Sequence, residues 1–222
     1  MAQLSKEDRA KQKELQGELG ERAAFFNSPI GLIAIALPEQ PAETYWKLRR
    51  DLRNDQLDKT GVLARFAVEC VAYPEKNEVA TCLRSRPALA VKLAHKARQL
   101  LGEGLNEDPT IDPEDHPKEA AILAELRAKY GDELGWFMVP EFGLLALAPP
   151  KSPACYRQFF AAVTGGGDID PEVHNTFALD CVVHPSRDQV EAYLKLQPGL
   201  TRSLTTRGDG LCGSDFEELG KV

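Results

Sequence analysis

Two stretches of this chain repeat one another at a distance of 111 residues. ALDCVVHPSRDQVEAYLKLQPGL runs from Ala178 to Leu200, and AVECVAYPEKNEVATCLRSRPAL runs from Ala67 to Leu89. The offset pairs Cys181 with Cys70, Val182 with Val71, Pro185 with Pro74, Val190 with Val79, Leu194 with Leu83, Pro198 with Pro87 and Leu200 with Leu89. A chain that spells one pattern twice is expected to fold it twice. The sequence therefore predicts a tandem duplication, with two units of about 100 residues sharing the 222-residue length.

Each unit reads as mainly α, a helix–strand–four-helix pattern with one short strand per repeat. In the first, 1–102, Ser5 is placed to cap a charged helix reaching Phe26, with Asp8 three residues on in a capping-box-like role. GLIAIAL at 31–37 is short, apolar and closed by Pro38, which predicts a buried strand. A helix over about 44–55 carries Tyr45, Leu48 and Leu52 on one face. The next, from about 58, turns Val62, Phe66 and Cys70 inward and ends by Tyr73, because Pro74 disfavours a helical residue before it. Pro74 and Pro87 are read as first residues of the third and fourth helices, with Val79, Leu83, Leu89 and Leu93 pointing inward and Gly102 stopping the last.

Residues 103–117, EGLNEDPTIDPEDHP, hold six acidic residues and three prolines and read as a solvated interdomain linker. The second unit, 118–213, then begins at an offset of 112, which sets Lys118 on Lys6, Phe137 on Phe25 and GLLALAPP on GLIAIALP. The offset returns to 111 from Tyr156 onward. Gly208 and Gly210 weaken its final helix, since each glycine costs about 1 kcal/mol relative to alanine, so that helix is expected to be short or frayed. Residues 214–222 read as a polar tail.

Composition narrows the function classes. A net charge of −7 repels a phosphate backbone, so no nucleic-acid partner is expected. The apolar run from Ile30 to Pro38 is far shorter than the roughly 20 residues a spanning helix needs. No membrane partner is expected, and the charged N-terminus lacks a secretory core, which predicts a cytoplasmic location. Five cysteines at 70, 82, 155, 181 and 212 read as free thiols.

The candidate chemistry is tested by the duplication itself. His174, Cys181 and His184 are ligand types for zinc, but their counterparts are Leu63, Cys70 and Tyr73, so no metal or other cofactor is expected. Cys181, His184 and Asp180 offer a nucleophile, a base and an orienting carboxylate without an oxyanion motif, and packing is the expected role of Cys181. GGGD at 165–168 reads as a turn, RGD at 207–209 as a chance match, and the acidic segment lacks the oxygen spacing of a calcium loop. Trp46, Trp136, Phe137, Phe159 and Phe160 are expected mainly in the core. No catalytic residues are assigned.

Cys181, Val182, Val183, Pro185 and Ser186, then an amphipathic helix, then Pro198, Gly199, Leu200 and a closing leucine-bearing helix, resemble the small tail assembly chaperones of tailed bacteriophages. Cys70, Val71, Pro74, Pro87 and Leu89 echo the pattern, which spans about 40 residues in each half. Members of that family carry the unit once. The resemblance implies a non-enzymatic helical protein that binds a tail component, typically the tape measure protein, in the host cytoplasm before assembly. A structural part of the virion, such as a baseplate or neck protein, is the alternative expectation, and a small cytoplasmic regulator or hydrolase is a third.

Overall fold

The computed structural model describes residues 4–165 and 170–214. The chain divides into two compact units, one of Met1–Glu103 with Leu196–Gly199 and one of Gly104–Lys195 with Leu200–Val222. The first is built from α1 (Lys6–Leu19), β1 (Ala23–Ser28), β2 (Gly31–Ala36), α2 (Pro41–Arg53), α3 (Lys59–Glu69), β3 (Val71–Tyr73), α4 (Lys76–Arg84) and α5 (Pro87–Leu100). The second runs α6 (Pro117–Tyr130), β4 (Gly135–Val139), β5 (Gly143–Leu147), α7 (Pro153–Thr164), α8 (Pro171–Cys181), β6 (Val182–His184), α9 (Arg187–Leu196) and α10 (Leu200–Asp209). The protein is thus mainly helical, and the second unit follows the element order of the first.

Each unit carries three strands where the sequence suggests one, in antiparallel sheets ordered β1-β2-β3 and β4-β5-β6. The helix expected to reach Phe26 stops at Leu19, because Gly20 takes a left-handed φ of 61° and its N–H closes onto Gln16 O. Ala23–Ser28 then pairs with β2 in register from Ala23 opposite Ala36 to Ser28 opposite Gly31. The next helix, expected to end by Tyr73, does so at Glu69, and the unforeseen strand Val71–Tyr73 joins β2 as its other neighbour. These are short segments whose state is set by a distant partner, which a local propensity reading misses.

The prolines also differ from expectation. Pro87 is the first residue of α5. Pro74 and Pro185 instead follow cis peptide bonds after Tyr73 and His184, and α4 and α9 begin at Lys76 and Arg187. Pro198 precedes α10 by two residues.

In each unit the sheet separates one helix from four. On the α1 side, Leu32 and Ala34 pack with Leu15 and Phe25. Ile33 and Ile35, fully buried, point to the other face, where α5 packs on β2. In the second unit Leu144 and Ala146 meet Leu123 of α6 and Trp136, whereas Phe137, Leu145 and Leu147 join Phe177, Val190, Leu200 and Leu204. Phe159 stacks on Phe177 with centroids 4.2 Å apart. Burying each such side chain contributes about 1.5–3 kcal/mol.

The strand register corrects the alignment of the two halves. Trp136 faces the single helix, as Phe25 does, and Phe137 faces the four-helix layer of its own unit. Phe25 opposes Ala34 and Trp136 opposes Ala146, so the counterpart of Phe25 is Trp136 rather than Phe137. The offset is 111 through β4 and becomes 112 only in the hairpin, where Pro140, Glu141 and Phe142 replace the two-residue turn Pro29-Ile30.

The acidic segment is not a free spacer. Glu103 is 8% exposed and accepts the Tyr45 hydroxyl at 2.6 Å and Arg98 Nε at 2.5 Å. Asp108 and Pro109 are hydrogen-bonded to Trp136, and Ile111 packs on the α6-side core. The last helix is short, as its glycines imply, giving way after Asp209 to a wider turn in which Gly213 adopts a φ of 106°. Residues 166–168 of GGGD and residues 215–222 of the tail lie outside the described residues. No helix among the described residues is long and apolar enough to cross a membrane.

Candidate functional site

The α3–α4–α5 layer of the first unit holds a groove of about 650 Å³. Its floor comes from small side chains at helical spacing. Gly61, Ala64 and Val68 lie on one face of α3, Ala80 and Leu83 on α4, and Ala90 on α5. Larger residues at these positions would fill the space. The rim carries Asp58, Arg65, Glu69 and Arg84, two charges of each sign.

Local structure fixes that rim. Asp58 caps α3, its carboxylate accepting the N–H groups of Thr60 at 3.1 Å and Gly61 at 2.9 Å. A Cβ on Gly61 would stand 2.8 Å from Asp58 Oδ2, so the cap and the open floor both depend on glycine there. Glu69 pairs with Lys47 at 3.0 Å. An apolar trough between helices with a mixed-charge rim suits the apolar stripe of an amphipathic helix.

The residues singled out by the repeat are spread along a packing frame. Cys70 and Cys181 are buried at the ends of α3 and α8, Leu89 is half-buried in α5 and Leu200 is buried at the start of α10. Gly199 belongs to the first unit, and its N–H donates to Leu101 O at 2.7 Å. A Cβ there would lie 2.6 Å from that oxygen, which explains the glycine of the PGL triplet.

The suspected Cys–His chemistry is not assembled. Burial pushes the Cys70 thiol up to about 12, and burial with the neighbouring Cys212 and Cys155 thiols pushes Cys181 up as well. The thiolate is the nucleophile, and these sites oppose it. Asp180 is engaged by Arg187 at 3.0 Å and by the Cys155 thiol, which burial and that carboxylate raise to about 11. His184 lies in β6 with its pKa lowered by burial, whereas His174 sits at the start of α8 with Nδ1 2.9 Å from Asp170 O. Among the described residues, no group of three or more His, Cys, Asp or Glu side chains is placed to hold a metal ion.

Arg207 and Asp209 of the RGD triplet belong to α10, and Arg207 pairs with Asp108 at 2.5 Å. Trp46, Phe137 and Phe159 are buried and Trp136 is half-buried, while Phe160 is 51% exposed. No known protein family, characterised protein or solved structure matches the chain. The groove residues Ala64, Ala80 and Ala90 escaped the sequence reading. Their signal is the run of small residues on helix faces where a core would carry leucine.

Proposed function

We propose that this is a non-enzymatic protein-binding molecule whose α3–α5 groove receives an amphipathic helix of a client. The resemblance of the 67–89 and 178–200 stretches to phage tail assembly chaperones gives the client as the tape measure protein or another tail protein. Binding precedes assembly in the host cytoplasm. The chain arose by tandem duplication, a reading supported by the equal order of elements and by Gly102 and Gly213 holding φ values of 93° and 106° at the same place in each half.

The observation that carries this reading is the groove of about 650 Å³ floored by Ala64, Ala80 and Ala90. Its test is co-expression with the neighbouring tail genes, followed by affinity capture and mass spectrometry. The tape measure protein should co-purify with the native chain, and Ala64→Phe with Ala80→Arg should abolish capture while leaving the circular dichroism spectrum unchanged. Capture indifferent to both substitutions would remove the groove from the reading. Purified particles should lack the chain, and a fixed copy number there would make it a virion component instead.

A further inference from the structure

The second unit covers the edge of its own sheet. The Asp108 N–H donates to Trp136 O at 2.8 Å, and Asp108 Oδ1 accepts the Trp136 N–H at 2.7 Å. The indole Nε1 donates to Pro109 O at 3.0 Å, and Arg207 of α10 donates to Asp108 Oδ2 at 2.5 Å. An acidic segment, bent at Asp108 where φ is 46°, is thus gripped by the backbone of one edge-strand residue, an indole N–H and a cation from the last helix.

The first unit presents the edge backbone and the cation of that grip, with Phe25 in place of the indole. β1 is the edge strand of its sheet, and Phe25 holds the register position of Trp136. The Ala36 N–H bonds Cys70 O on the β3 side, so Ala23 and Ala36 form a non-hydrogen-bonded pair. Two residues on, the alternation of an antiparallel ladder turns the Phe25 N–H and C=O away from β2. At the 111-residue offset, Lys96 of α5 stands where Arg207 stands in α10. Between β1 and α5 lies a cavity of about 540 Å³, lined by Phe25, Phe26, Val91, Lys92, His95 and Lys96. Val91 is 45% exposed.

We propose that this edge binds an acidic peptide segment of a partner protein, which docks on Phe25 of β1 as the segment 104–111 docks on Trp136 of β4. Its aspartate takes the place that Asp108 holds in the second unit, with main-chain N–H on Phe25 O and carboxylate shared by the Phe25 N–H and Lys96. Lys92, His95 and Lys96 form a basic cluster on a chain of net charge −7, which selects acidic over basic segments. The main-chain and carboxylate bonds to the edge supply the affinity and the cluster the preference. The proposal is independent of the α3–α5 groove.

The test titrates the ¹⁵N-labelled full chain with a capped synthetic peptide of sequence GLNEDPTI, which copies residues 104–111. Saturable amide shifts are expected at Phe25. Replacing the peptide's aspartate by asparagine, and separately Lys96→Glu or Lys92→Glu in the chain, should each weaken binding by about tenfold, with Lys96→Arg retaining it. Shifts confined to Trp136, or affinity unchanged in both glutamate variants, would overturn the proposal. So would a β1-mediated dimer in sedimentation that excludes the peptide, since the edge would then belong to a second copy.

Discussion

The Thr201 hydroxyl donates to Asn175 Oδ1 across 2.7 Å, joining α10 to α8. At the 111-residue offset these positions are Ala90 and Ala64, which floor the groove of the first unit. Two alanines thus leave space where a polar pair closes it. Thr201 is fully buried, so Thr201→Val strands the Asn175 carbonyl and should cost about 1–3 kcal/mol in urea unfolding. Combining it with Asn175→Ala should cost less than the sum of the two single changes.

Glu103 stabilises the end of the first unit through three partners, Tyr45, Arg98 and Arg49, the last at 3.7 Å. Removing the carboxylate takes the Glu103 partner from two half-buried guanidinium groups. Glu103→Ala should lower the unfolding free energy by about 3 kcal/mol, and Tyr45→Phe, which deletes one hydrogen bond to the charge, by about 1.5 kcal/mol. Denaturant midpoints of the two variants test the ranking.

Gly208 lies within α10, where alanine would ordinarily gain about 1 kcal/mol. Here an added Cβ would stand 3.0 Å from Cys181 Sγ and 3.3 Å from the Phe177 ring. Overpacking typically costs about 1–3 kcal/mol, so Gly208→Ala should lower Tm despite its better helix propensity. Adding Cys181→Ala makes room for the methyl group and should recover part of the loss.

Alkaline pH should unfold the chain through its buried thiols. The Cys70 thiol ionises at about 12 in the fold because burial disfavours the thiolate, against an ordinary value of 9.0. Below pH 9 both states hold the proton and nothing changes. Between 9 and 12 the unfolded state loses it while the folded state keeps it, so stability falls by up to about 1.4 kcal/mol per pH unit for this thiol. Urea midpoints measured across that window should fall less steeply for Cys70→Ala than for the native chain.

Much of the helical layer can be read from the sequence. Val79, Leu83 and Leu93 sit in the core as their spacing requires, Asp58 caps α3, and Pro87 opens α5. Ser5 caps α1 as expected, although Asp8 reaches the Ser5 hydroxyl rather than completing a capping box. Hidden are the features that depend on distant partners. Ala23–Ser28 is a strand only because β2 lies beside it, and 103–117 is anchored because Arg207, 99 residues beyond Asp108, meets its carboxylate. The groove is hidden for a different reason, since an alanine on a helix face reads alike whether a neighbour packs on it or not.

Asp108 has a consequence for behaviour at high concentration. β4 carries Trp136, Phe137, Met138 and Val139, an uncharged run that would template fibril growth if its edge were bare. The clasp occupies that edge at Trp136 with an acidic residue followed by Pro109, which has no N–H to offer a further strand. A segment composed like a spacer thereby denies the Trp136 backbone to an incoming strand.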